Sequence, residues 1–233
     1  MGRCLVSPEA VGPDAGSEPR GGEPVLHALE DVTILKVLGE GGRSLVYEGD
    51  WNGRRVALKV YKPRAREKHL RKHPLDVAEF EFRRNLAFFE APGLARYVAR
   101  PLAFLNSTAA SAVVQERLDG ELYYFRHQAR GGRVEPQLFG HVKRMVELAH
   151  TAGLYDLDVH ALNVMVVEDG GEPIPKLFDF NLVPWEERRR TPWVWLSLMT
   201  GLRSSKRRDL RMLRDFHDFS KRIPGLLQYF PTS

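Results

Sequence analysis

The chain has 233 residues, 43% hydrophobic and 28% charged, enough to bury a sizeable core, and no apolar run approaches the roughly 20 residues of a membrane helix. The single cysteine, Cys4, excludes an internal disulfide framework and, with a polar amino terminus that lacks a signal-peptide core, points to the cytoplasm. The net charge of +5 gathers at the carboxy end, where Glu186 to Ser233 hold eleven Lys/Arg against five Asp/Glu, a balance that suits either an anionic partner or a solvated helix face.

Residues 1–30 are rich in Gly, Pro, Glu and Ala, have no sustained periodicity and read as a disordered segment. Residues 31–118 read as a first lobe. Its β-type runs are Val32 to Leu38, Leu45 to Glu48 and Arg55 to Tyr61, separated by Gly39-Glu40-Gly41-Gly42 and by a hairpin turn at Asn52-Gly53. The first turn, Gly39-x-Gly41-x-x-Ser44-x-Val46, can bring backbone N–H groups onto phosphate oxygens with no side chain in the way. Alone, such a turn is more often just a turn. The third run, Val56-Ala57-Leu58-Lys59, sets a lysine inside a strand between apolar neighbours, where it must meet an anion or bear its desolvation.

The pattern from His69 to Glu90 predicts a helix with Phe82, Leu86 and Phe89 on one face, carrying Glu79 and Glu81, each of which alone reads as a solvated helix charge. Leu102 to Leu105 and Ala112 to Leu118 add two strands, making five. Residues 119–233 read as a second, helical lobe. After Pro136 a helix carries Leu138, Val142, Met145 and Ala149 and stops at Gly153. The chain then runs into Tyr155-Asp156-Leu157-Asp158, with Asn163 five residues after Asp158 and an apolar strand following. A second apolar run delivers Asp179 in Asp179-Phe180-Asn181. A carboxylate and a carboxamide so spaced can orient a hydroxyl and hold a metal, with a further oxygen ligand from the neighbouring strand.

In joint order and spacing, the glycine turn, Lys59, Asp158, Asn163 and Asp179 resemble the protein-kinase-like superfamily, most of all the bacterial lipopolysaccharide-core (Kdo and heptose) kinases and the PhoP-network kinase-like proteins. The resemblance implies an α+β bilobal fold, with a five-stranded antiparallel first lobe and a shortened helical second lobe. It implies ATP and Mg2+ as cofactors. Gly39, Gly41, Gly42 and Ser44 would cover the phosphates, and Lys59 would bind them with Glu81, at the usual distance, or Glu79, on the apolar face, as its orienting partner. Val46, Ala57 and Met165 would enclose adenine beside the backbone of Glu116 to Leu118. Asp158 would act as base, and Asn163 with Asp179 would hold the metal.

The sequence departs from the pattern at Asp156, where the motif has His, at Asn181, where it has Gly, and in lacking an A-P-E segment. These departures favour a sugar or lipid-linked acceptor over a peptide, while a pseudokinase and a protein Ser/Thr kinase stand as alternatives. Arg188 to Arg190, Trp193, Trp195, Leu196, Leu198, Met199 and Lys206 to Arg208 suggest peripheral contact with an anionic inner membrane. Nucleic acid is not expected as a partner, because the sequence holds no recognised binding module.

Overall fold

Three strands rich in β-branched and apolar residues, β1 (Thr33–Glu40), β2 (Ser44–Trp51) and β3 (Arg54–Tyr61), open the computed structural model, which describes residues 28–180, 183–189 and 191–218. Of the segment read as disordered, residues 1–27 lie outside the described residues; Leu29–Asp31 forms a short 3-10 turn. The β2–β3 hairpin closes on Asn52 and Gly53, both at positive φ (55° and 77°), as a two-residue turn of matching twist requires. Strands β4 (Pro101–Asn106) and β5 (Ser111–Glu116) complete an antiparallel five-stranded sheet in the order β1-β2-β3-β5-β4.

The predicted helix over residues 69–90 is in fact two. Pro63 begins α1 (Pro63–Leu70), the segment through Pro74 is non-helical, and α2 (Val77–Glu90) starts afresh from Asp76, whose carboxylate accepts from Ala78 N at 2.9 Å. A proline cannot donate to a helical ladder, and an aspartate cap restarts one. α2 packs on β4 and β5, with Phe82 against Phe104 and Val113. Val56, Leu58 and Val114 fill the other face of the sheet.

The second lobe is built on α4 (Pro136–Thr151), whose Leu138, Val142, Met145 and Ala149 are buried as the periodicity predicted. A small antiparallel sheet, β6-β7-β8 (Gly120–Leu122, Val164–Asp169, Glu172–Leu177), lies against it. Gly120 allows the close approach of β6: a Cβ there would come within 2.2 Å of Val166 O. Helices α3 (Tyr123–Ala129), α5 (Pro192–Met199) and α6 (Ser205–Arg214) complete the lobe, and Met212 of α6 joins its core. The lobes are tied where Ala99 N donates to Leu177 O and Leu177 N to Tyr97 O, at 2.9 and 2.8 Å. Phe88 of α2 stacks on Phe180, with ring centroids 4.8 Å apart, so the helix that faces the sheet also touches the tripeptide carrying Asp179.

Candidate active site

Side chains alternate faces along β3, so Ala57, Lys59 and Tyr61 turn from the Val56 and Leu58 side toward α2. Lys59 Nζ donates to Glu81 Oε1 and Oε2 at 2.9 and 3.1 Å and to Asp179 Oδ1 at 2.8 Å. The Tyr61 hydroxyl also donates to Glu81. Lys59 is 5% exposed and Glu81 fully enclosed. Burial alone would push the lysine pKa down, yet Asp179 and Glu81 together outweigh it and hold the group above its usual value. Burial raises the Glu81 carboxyl, with Lys59 opposing. Of the two glutamates weighed from the sequence, Glu81 is therefore the partner of Lys59. Glu79 lies near the surface, 3.0 Å from Arg83 and 3.3 Å from Asn106.

In the loop between α4 and β7, Asp156 and Asp158 both take the left-handed conformation, at φ 64° and 54°, which aspartate tolerates better than most residues. Two elements far away in sequence fix the loop. Asp209 of α6, fully buried, accepts from Asp156 N at 2.8 Å, from Leu157 N at 2.9 Å, and bonds His150 Nε2 at 3.0 Å. Arg84 of α2 donates to the carbonyls of Tyr155 and Asp156. Arg208 Nη2 donates to Asp158 Oδ1 at 2.6 Å, while its Nη1 donates to Asp156. Burial, only partly offset by Arg208, raises the Asp156 carboxyl pKa to about 6.

Asn163 Nδ2 donates to Asp158 O at 3.1 Å, and Asn163 O accepts from Phe178 N at 3.2 Å. Together with the Val164–Leu177 pairing, this puts Asn163 opposite Phe178, with Asp179 the next residue, at the open end of the β7–β8 hairpin. Among the described residues no cluster of three or more His, Cys, Asp or Glu would hold a metal on its own. One carboxamide and one carboxylate leave the remaining positions to phosphate and water, as a magnesium ion prefers. Asn181 lies outside the described residues.

The glycine turn is closed by Gly41 N donating to Ser44 O at 2.8 Å, and Gly39 pairs with Val46. Neither packing nor backbone conformation demands the glycines: a Cβ on Gly39 or Gly42 would meet nothing within 4 Å, and none of Gly39, Gly41 or Gly42 has positive φ. The open space is room for a ligand against the backbone. Val46 lies opposite Lys59, so Val46, Ala57 and Lys59 share a sheet face. Glu116 is committed within the protein, with N–H to Arg100 O at 2.9 Å and carboxylate accepting from Lys176 at 2.8 Å and Arg100 N at 3.0 Å. Leu118 is buried beyond it, and Met165 is half-buried on β7.

Sequence reasoning missed four residues here. Gln115 is opposite Ala57 on β5, is 5% exposed, and its Oε1 has no partner among the described residues although its Nε2 donates to Phe178 O at 3.3 Å. A lone amide ending the run Ala112-Val113-Val114 was its only signal. Arg84, Arg208 and Asp209 had none, because their partners lie 50 or more residues away.

No sequence family matches the chain, nor does any curated protein. Solved structures do. The kinase domain of Mycobacterium tuberculosis PknI superposes with a TM-score of 0.55 at 18% identity, covering 84% of this chain and 75% of that one. A mutant form of that domain gives 0.56 at 18% identity, over 85% and 76%, and a further structure of the domain gives 0.52 at 20% identity, over 81% and 71%. The protein has a protein-kinase-like fold. Within that fold Lys59, Glu81 and Asp179 meet at the sheet face, and Asp158 and Asn163 stand on the neighbouring loop.

Proposed function

We propose that the protein is an ATP-dependent phosphotransferase that moves the γ-phosphate to a hydroxyl of a sugar or other lipid-linked acceptor, in keeping with the lipopolysaccharide-core kinases that the sequence resembles. The observation that carries this reading is the buried lysine held between Glu81 and Asp179 in a kinase-like cleft. A cation so placed suits a di- or triphosphate, and Asp179, drawn onto Lys59 here, is the carboxylate that would turn to a metal. Gly39 to Ser44 offer amides to the phosphates. The unpartnered Gln115 Oε1, on the sheet face of Ala57, suits the exocyclic amine of adenine.

In the transfer, Asp158 accepts the acceptor's hydroxyl proton as that oxygen bonds to the γ-phosphorus and the bond to the ADP oxygen breaks. Lys59 steadies the phosphates, and Asn163 holds the loop backbone at Asp158. Magnesium, when bound by Asn163 and Asp179, would neutralise phosphate charge. The exposed Trp193, Trp195, Leu196 and Met199 of α5, with basic residues on either side, support an acceptor met at an anionic membrane surface.

A second reading, a nucleotide-binding pseudokinase, is favoured by the Arg208 ion pair that covers Asp158. Asp158→Asn separates the two. For a phosphotransferase it leaves Mg-ATP affinity nearly unchanged and lowers labelled phosphate transfer into cell fractions by about 100-fold or more. ATP binding with no transfer by the wild type would leave the pseudokinase.

A further inference from the structure

Beneath the loop that carries Asp158, the turn at Trp185, the segment leading into α6 and α6 itself enclose a cavity of about 530 Å3. Arg188, Arg203, Arg208 and Arg211 line it, and Asp156 is its single acidic lining residue. The guanidinium groups of Arg188 and Arg203 both lie over the Trp185 ring, 3.9 and 4.3 Å from its centroid. Arg188 donates to Val183 O at 3.1 Å, and among the described residues neither Arg188 nor Arg203 forms an ion pair with a carboxylate. Like charges crowded on one aromatic ring repel, and the planar forks they present match the oxygens of a phosphate or carboxylate.

The positive field extends further. Arg188 also lines a larger neighbouring cavity of about 890 Å3, together with Lys68 and Lys72 and a single acidic residue, Glu67; the neutral His69 beside them has a buried Nε2 with no partner among the described residues. Arg208 connects this field to the chemistry, since the same guanidinium that lines the smaller cavity covers one oxygen of Asp158. While Arg208 occupies it, that oxygen is not open to a hydrogen bond from an incoming hydroxyl.

We propose that the Trp185 cavity binds an anionic group, phosphate ester or carboxylate, carried by the acceptor, and that Arg208 turns from Asp158 to this group when the acceptor docks. The inference rests on the phosphotransferase reading and narrows its substrate to an anionic alcohol. It also reconciles the covered base with turnover: Asp158 Oδ1 is released to the hydroxyl when the acceptor's anion draws Arg208 away.

Calorimetric titration of inorganic phosphate into the full chain tests the cavity, with and without a saturating non-hydrolysable ATP analogue and magnesium. Saturable binding should persist with the nucleotide site filled and weaken about 10-fold or more in Arg203→Gln, as loss of a charge-assisted hydrogen bond implies. Arg203 is exposed, so the variant should fold as the wild type does, which circular dichroism checks; Arg208→Gln would strand the buried Asp156 and serves only as a second variant. No saturable binding, or binding indifferent to Arg203→Gln, overturns the proposal. Capture of phosphatidic acid vesicles, weakened by the same substitution, marks a lipid-linked source of the anion; binding of a hexose phosphate without vesicle capture marks a soluble one. If the ATP analogue fails to bind, the phosphotransferase reading falls by itself, because the phosphate titration reads the cavity in the absence of nucleotide.

Discussion

Lys59 and Glu81 form an ion pair 2.9 Å long, the lysine 5% exposed and the glutamate not at all. Removing one member of such a pair leaves an uncompensated charge in the interior, which typically costs about 3–5 kcal/mol, whereas replacing both by apolar residues of similar volume is far milder. Lys59→Ala should therefore lower unfolding stability by about 3 kcal/mol, with a matching loss of nucleotide binding. The double variant Lys59→Met with Glu81→Leu should recover most of the stability and none of the binding. Urea unfolding beside nucleotide titration checks both, and a double variant no more stable than Lys59→Ala would contradict the ion-pair account.

Asp209 bonds two backbone N–H groups of the loop and His150, so Asp209→Asn sets an amide N–H₂ against groups that are mostly donors. A stability loss of about 1–3 kcal/mol is expected. Because Asp209 touches the loop backbone and not the nucleotide pocket, phosphate transfer should fall at least about 10-fold while ATP affinity holds. Equal losses in affinity and rate would show a general loosening of the fold instead.

His69 has its pKa lowered to about 4 by burial, with His73 adding to the effect. For a base depressed in the folded state, the unfolded chain binds more protons between pH 4 and 6.5. Its contribution is thus complete above about 6.5 and lost as pH falls toward 4. Asp156, raised to about 6, acts in the opposite sense and partly masks this limb. Comparing His69→Gln with the wild type isolates the histidine: over this window the variant's stability should fall less steeply, by at most about 1.4 kcal/mol per pH unit. Parallel curves would mean that His69 titrates normally.

Trp193 and Trp195 are 58% and 53% exposed on α5, so replacing both with serine should leave stability within about 0.5 kcal/mol. Sedimentation with anionic vesicles at low salt should fall sharply in that variant and also with rising ionic strength. Vesicle binding that ignores the substitution would move the contact elsewhere.

Much of this architecture was legible in the sequence because it is locally encoded. The Asn52-Gly53 turn fixed the β2–β3 hairpin, alternation along β3 fixed which way Lys59 faces, and the 3.6-residue period placed Leu138, Val142, Met145 and Ala149 in the core. The break between α1 and α2 was also written locally, in Pro74 and Asp76, but the apolar periodicity on either side concealed it. What eluded reading was long-range. The choice between Glu79 and Glu81 depends on how α2 is rotated against the sheet, and the clamp of Arg84, Arg208 and Asp209 on the loop depends on packing between elements 50 or more residues apart. The basic tail announced charge without saying that one of its arginines grips the proposed base.

The anchoring of the loop by α6 has a consequence for the order in which the protein becomes competent during synthesis. The five-stranded sheet and α2 lie wholly within the first half of the chain, so the Lys59–Glu81 pair can form before Asp179, the other partner of Lys59, has been made. The loop at Asp156 and Leu157 must wait for a residue 53 positions later in the chain before its left-handed backbone is secured. A nascent or truncated polypeptide that ends ahead of α6 would carry Lys59, Glu81 and Asp179 but leave Asp158 on an unsecured loop, and on the proposed reading would sequester nucleotide without spending it.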